Sequence, residues 1–434
     1  MHEPLIHFTR CVLAKNGQEV EEDLYISQST GKIVEGASRD GPVFVEDLGG
    51  RIVAPGLIEV QLNGAMGFNF SEVPESDIEM EEYAKSYTKT CQGLIKTGVT
   101  SFLPTVTTAP SDIFKRVLPY LAPNGHLRDP YVGSESLGAH CEGPFISASR
   151  KGAHVEKHLQ SVENGWESIL HFYGPENFLP MPYASVKDEL ATTRAATIKK
   201  LTVAPELEGM VDAIRHLTQE RQICCSIGHT AATYEVGLEA VRAGATMITH
   251  LFNAMEPLLH RSPGIPGLIG APETDLENNR PSFGLIADDV HVSPSCVRTA
   301  WAVHEKGCIL TTDGTAATGI ELPDGVYPWK ARRLEKRGRR MFLEGTDTIA
   351  GGTTTLLQCV SNLIRWTGIG AARALETVTT NPAHFLGCSE SKGNLRPGAD
   401  ADLVVLSWGD VDGARELQVD QVWKFGWKVY DRNP

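Results

Sequence analysis

Eight short apolar runs recur through the middle of the 434-residue chain, and longer segments with helical periodicity lie between them. The runs span residues 52–60, 99–106, 137–142, 201–204, 224–229, 247–250, 283–287 and 308–312. Their length suits buried strands, whereas the segments 76–97, 186–199, 208–221, 233–243 and 293–306 are long enough for helices. In the last of these, Ser293 reads as an N-cap and Pro294 falls at the first helical position, where a missing N–H costs nothing. Eight strand and helix units predict an α/β chain folded as a (β/α)8 barrel of TIM type. A doubly wound open sheet carries the same local signal.

The two ends read differently. Leu5-Ile6-His7-Phe8 and Asp23-Leu24-Tyr25-Ile26, punctuated by Asn16-Gly17 and Gly31-Lys32, look like hairpins, and residues 402–406 and 421–430 are again strand-like. We expect a small β sandwich built from residues 1–54 and 391–434, carrying a barrel of residues 55–390, with the chain ends close together.

Charge and cysteine usage narrow the function classes. With 54 acidic and 40 basic side chains the formal charge is −14, which disfavours nucleic acid as a partner. No apolar run reaches the ~20 residues that cross a bilayer, and Met1-His2-Glu3-Pro4 lacks a targeting pattern. The expectation is a cytoplasmic protein with no membrane partner. Nine scattered cysteines without a C-x-x-C pair indicate neither a disulfide framework nor a cysteine zinc site, and Cys224 and Cys225 read as buried thiols. The basic run 330–340 reads as a solvated loop or helix face, and Leu356, Leu357, Val360, Leu363, Ile364 and Trp366 as a helix packed on the barrel.

In a barrel the chemistry lies at the C-terminal ends of the strands. In chain order those ends carry Gln61 and Asn63, His140 and Glu142, Glu206, His229, His250, Asp288 with His291, and Asp313. Any one of these alone is more often a cap or a satisfied core group; together on one rim they point to a site. Glu142, His229 and His250 form a donor set for one divalent ion: two imidazoles and a carboxylate hold zinc at ~2.0–2.2 Å and leave a fourth position open for water. The same ligands accept Fe²⁺, Co²⁺ or Mn²⁺. Asp313, at the mouth of the last strand, is placed for general base and then acid work, although Asp313-Gly314 is also an ordinary turn dipeptide.

These residues sit in recognisable motifs. Val53 to Gly64 resembles the first barrel strand of the amidohydrolase superfamily, and Gly393 to Leu406 resembles its return into the small domain. His140-Cys141-Glu142-Gly143-Pro144, Lys151-Gly152-Ala153-His154, Gly228-His229-Thr230-Ala231-Ala232, residues 249–255 and Asp288-Asp289-Val290-His291-Val292 resemble the N-acetylglucosamine-6-phosphate deacetylases. The resemblance implies a homodimer that hydrolyses the acetamide of a phosphorylated amino sugar. It also implies Asp313 as general base and acid, with His154 and Ala153 near the acetamide. Asn253, Ala254, Arg261, Asp288 and His291 would then lie against the sugar phosphate, and Ile349, Ala350 and Gly351 in a substrate loop. Many superfamily members carry His-x-His for a second metal where this chain has Gln61 and Asn63, so one metal ion per subunit is expected, zinc first among the candidates. Another metal-dependent amidohydrolase, for instance one acting on a cyclic amide, shares the fold and ligands. A non-catalytic scaffold on this fold would usually have lost some of Glu142, His229, His250 and Asp313.

Overall fold

The computed structural model describes residues 5–36, 43–72, 77–179, 196–277, 279–320, 322–329, 332–338, 340–411 and 413–433. Eight parallel strands follow one another around a nearly closed barrel: β1 (Leu57–Leu62), β2 (Val99–Thr107), β3 (Ala139–Glu142), β4 (Ile198–Val203), β5 (Cys224–Ile227), β6 (Met247–Ile248), β7 (Ser282–Leu285) and β8 (Cys308–Leu310). Consecutive strands pair in register, as in His140 opposite Thr105 and Phe283 opposite Cys308. The seam from β8 back to β1 separates a barrel from an open sheet. It is joined by a bridge between Leu62 and Gly314 and by the Asp313 amide donating to the Gln61 carbonyl at 3.1 Å.

The helices form where periodicity and caps agree. In Met210–Gln219 the buried residues Met210, Ala213, Ile214 and Leu217 recur at helical spacing and face the barrel. Helix Pro294–Val303 starts as expected, with the Ser293 hydroxyl accepting from the Cys296 amide. Leu356–Thr367 buries Leu356, Leu357, Val360 and Leu363, with Ile364 and Trp366 packed at its edge. Of the helix expected over 186–199, residues 186–195 lie outside the described residues; 198 and 199 belong to β4. The basic run is neither loop nor helix in its described part: Gly325–Trp329, Arg332–Arg337 and Arg340–Leu343 make a three-stranded antiparallel sheet. Lys330 and Arg339 of that run lie outside the described residues.

Both chain ends build the second core. A four-stranded sheet (Leu5–Thr9, Leu24–Ser27, Lys32–Val34, Val43–Asp47) and a six-stranded sheet that includes Val12–Lys15, Ile52–Pro55, Leu403–Val411 and Ala414–Lys424 enclose Phe8, Leu13, Ile26, Val53, Leu403, Val405 and Trp423. Two strand assignments change. The run 52–60 is two strands: Ile52–Pro55 pairs with Leu403–Val411, and after Gly56 the chain switches to β2. A Cβ at Gly56 would stand 2.1 Å from the Thr100 hydroxyl, so only glycine lets the chain cross there. Residues 421–430 are likewise interrupted, because Phe425 (φ 47°) and Gly426 (φ 77°) make a tight hairpin turn.

The sandwich and the barrel are fastened by buried charge. Lys392 and Lys424 each reach Glu135, at 2.8 and 2.7 Å, and Asp402, at 2.9 and 2.6 Å. Glu135 belongs to a short strand paired with β2, so the cluster spans the domain junction. Among the described residues no helix is long and apolar enough to cross a membrane.

Candidate active site

Glu142 ends β3, while His229 and His250 each follow their strand by two residues. His229 (φ 48°), His250 (φ 30°) and Asp313 (φ 47°) all hold left-handed backbone. For a residue with a Cβ this costs on the order of 1 kcal/mol, so the surroundings must impose it. The Ser147 amide donates to the His229 carbonyl at 2.9 Å, and the Thr230 amide to Ala254 at 3.1 Å. The loop after β5 is thereby tied to those after β3 and β6. Arg150 and Glu256 join the same two loops by an ion pair.

The donor atoms converge. Glu142 Oε1 lies 3.4 Å from His229 Nε2 and 3.2 Å from His250 Nε2, and the two imidazole nitrogens are 3.0 Å apart. His229 Nδ1 is 2.9 Å from the Arg150 carbonyl, which can only accept, so this nitrogen carries the proton and Nε2 presents a lone pair. A lone pair then faces a carboxylate oxygen, an arrangement that calls for a cation. Spacings of 3.0–3.4 Å reach up to the edge, about 3.4 Å, of a tetrahedron with ligands at about 2.1 Å. Ligand atoms of Glu142, His154 and His229 also lie within 4.8 Å of one another, a wider possible metal site on the same rim. His154 has its Nδ1 on the Thr108 hydroxyl at 2.7 Å.

Asp313 stands beside this set. The Asn63 amide donates to its Oδ1 at 2.8 Å, and Gln61 Nε2 bridges Glu142 Oε1 at 2.8 Å and Asp313 Oδ1 at 3.2 Å. The two amides that replace histidines therefore donate to carboxylates, a use that their identity in the sequence does not reveal. Burial, with the Glu142 charge nearby, raises the Asp313 pKa. His140 belongs to the floor beneath: its nitrogens contact the Thr105 and Thr202 hydroxyls at 3.0 and 2.8 Å, and burial, with the Lys200 charge, keeps it neutral. Glu206 caps the loop after β5 through the Thr230 hydroxyl and the Ala231 amide.

Asp288 is occupied by its own turn: Oδ1 accepts from the Val290 and His291 amides, both at 2.9 Å, and Oδ2 contacts His291 Nδ1 at 2.7 Å. It orients His291, leaving Nε2 of that ring to act. Asn253 donates to the His250 and Leu251 carbonyls, and Ala254 takes a left-handed turn beside Thr230. Ile349, Ala350 and Gly351 run past Asp313, where the Gly352 amide donates to the Asp313 carbonyl at 3.1 Å. Ile349 shares a cavity of about 740 Å³ with Asp288, Asp289, Val290, Arg337, Arg340, Phe342 and Asp347. Ala153 adjoins His154 in the loop after β3. Arg261 sits at an exposed turn closed between Leu259 and Ser262, and makes no hydrogen bond or ion pair with the described residues.

Comparison with known proteins gives the family. The amidohydrolase family profile covers residues 52–427. N-acetylglucosamine-6-phosphate deacetylase of Bos taurus is 36% identical over 425 residues, covering 93% of this chain and 92% of that one. The Homo sapiens protein of the same name is 36% identical over 424 residues, covering 93% and 91%. Among solved structures, a mutant N-acetyl-D-glucosamine-6-phosphate deacetylase of Mycobacterium smegmatis, in complex with N-acetyl-D-glucosamine-6-phosphate, superimposes with a TM-score of 0.76 at 27% identity, over 99% of this chain and 100% of that one. The chain belongs to the amidohydrolase family and, within it, to the N-acetylglucosamine-6-phosphate deacetylases.

Proposed function

We propose that this protein hydrolyses the acetamide of N-acetyl-D-glucosamine 6-phosphate to D-glucosamine 6-phosphate and acetate, in amino-sugar catabolism or recycling. The observation that carries the reading is the convergence of Glu142, His229 and His250 beside the half-buried carboxylate of Asp313. Glu142, His229 and His250 would hold one divalent ion, zinc first, which when bound supplies Lewis acidity and makes water nucleophilic near neutral pH. Asp313 accepts the proton of the attacking water and returns it to the sugar nitrogen, which leaves as a neutral amine. The Asn63 and Gln61 amides keep the receiving oxygen in place. His154 donates towards the acetyl oxygen as charge develops there.

His291 Nε2, with Asn253 and Ala254, would meet the phosphorylated sugar from one side, and the loop 349–351 from the other. Arg261, unpartnered among the described residues, supports a homodimer in which it reaches the phosphate in the neighbouring pocket, where a planar guanidinium suits phosphate oxygens. Exposed Leu258 and Leu259 beside it, at 55% and 54%, support the same interface. On this reading residues 1–54 and 391–434 form the small domain, 55–390 the barrel, and the enzyme works in the cytoplasm without nucleic-acid or membrane partners.

Acetate release tests the proposal. The phosphorylated sugar, its unphosphorylated form and a cyclic amide are compared, each before and after chelation and return of zinc. Turnover should prefer the phosphorylated sugar, vanish on chelation and return with metal. Equal rates with and without the phosphate, or activity indifferent to chelation, would refute it.

A further inference from the structure

Glu59 is an ionisable residue inside the barrel wall that the chemistry above does not use. It is 1% exposed, and alternation along β1 puts it on the same face as Gln61 and Asn63. One carboxylate oxygen accepts from the Gln61 amide at 3.1 Å and from the Thr311 hydroxyl. The other accepts from the amide of Thr312 at 3.0 Å and from its hydroxyl at 2.8 Å. Four donors and no acceptor surround it, the environment of an ionised carboxylate, although burial pushes the group up to about 7.

These bonds lie on the seam where the barrel closes with little regular pairing, and they enclose the proposed base. Thr312 precedes Asp313, and its hydroxyl also accepts from the amide of Gly314, which follows Asp313, at 3.1 Å. The Asp313 amide donates to Gln61, whose own amide is on Glu59. Both neighbours of Asp313 and its backbone partner are thus anchored, directly or through one hydroxyl, to a single carboxylate. Asp313 is the residue in the left-handed conformation that a relaxed strand end would abandon.

We propose that Glu59 is the positioning residue of the general base: across the β8–β1 seam its carboxylate holds Thr312 and Gln61, and so fixes the backbone of Asp313 and the aim of its side chain. The inference rests on the reading of Asp313 as the base. Loss of the clamp should therefore slow the chemical step while leaving metal and substrate affinity in place, a split that general loosening of the fold would not produce.

The test uses the metal-loaded enzyme and acetate release from N-acetylglucosamine 6-phosphate. Glu59→Gln should lower kcat on the order of 10-fold to 100-fold, with KM within about twofold of wild type and metal content unchanged. In an Asp313→Asn background, followed by single-turnover measurement, the same change should add no further loss. Thr312→Val keeps the side-chain shape, removes the hydroxyl link, and should show the same split even where Glu59→Gln fails to fold. Wild-type kcat in both variants, or an equal loss with and without the Asp313 carboxylate, would overturn the assignment. Wild-type turnover in Asp313→Asn alone would instead remove the base reading on which it stands.

Discussion

Three histidines stand near the Glu142 carboxylate as candidate ligands, and their hydrogen bonds differ. His229 is committed by the Arg150 carbonyl to presenting Nε2, and His250 Nε2 lies within 3.2 Å of Glu142. The Thr108 amide donates to His154 Nδ1 at 3.4 Å, which puts the proton of that ring on Nε2 and suits a donor to substrate better than a ligand. His250→Ala should therefore lose the bound ion on dialysis, whereas His154→Ala should retain it and lose turnover by ~10²-fold or more, the scale of a lost oxyanion donor. Elemental analysis beside acetate release separates the two; metal loss in the His154 variant alone would exchange their roles. At this scale His140 shows the opposite outcome of the same sequence signal. A histidine at a strand end, two residues from Glu142, is a neutral floor group satisfied by two threonines.

Among the elements, the junction at Gly56 is the most constrained. The strand Ile52–Pro55 belongs to the sandwich and β1 to the barrel, with the Gly56 amide donating to the Asp402 carbonyl at 2.7 Å between them. Thr100 of β2 fills the space a side chain would need. Gly56→Ala should cost about 1–3 kcal/mol through overpacking, read as a lower midpoint in urea, and adding Thr100→Ala should recover part of the loss. Additive destabilisation by the two substitutions would show that the contact is not the cause. Periodicity alone reads 52–60 as one strand because both halves are apolar; the break is set by which strand lies alongside, and the pattern carries no information about that.

For the whole molecule, the buried charges between sandwich and barrel matter most. Burial alone would raise the Asp402 pKa, yet the Lys392 and Lys424 ammoniums outweigh it and hold the carboxyl well below the usual range. Asp400 is depressed in the same way, with Lys392 as the main opposing charge. A depressed carboxyl stabilises the fold above its unfolded pKa, about 3.9, and that contribution is lost as pH falls towards the folded value. Thermal stability should hold from pH 8 to 5 and decline below about pH 4. Lys424→Met, which leaves Glu135 and Asp402 short of a buried partner, should cost about 3–5 kcal/mol and flatten that decline. A variant as stable as wild type at pH 7 would show that the cluster contributes nothing net.

What the chain carries in its order of residues is the local part of this protein: strand and helix periods, the Ser293 cap, and the polar residues that close the strands. Those follow from neighbours a few positions apart, so the barrel and its rim of candidate ligands are legible without coordinates. The resemblance of five short motifs adds the class of reaction. Tertiary structure alone decided what each polar residue does there. It turned His229 through a carbonyl 79 positions away, spent Asp288 on its own turn, and made Gln61 and Asn63 donors to carboxylates. It also set Glu59 against Thr311, 252 positions along the chain. Each of these is a hydrogen bond whose partner is chosen by barrel closure or loop geometry, and no periodicity encodes a partner.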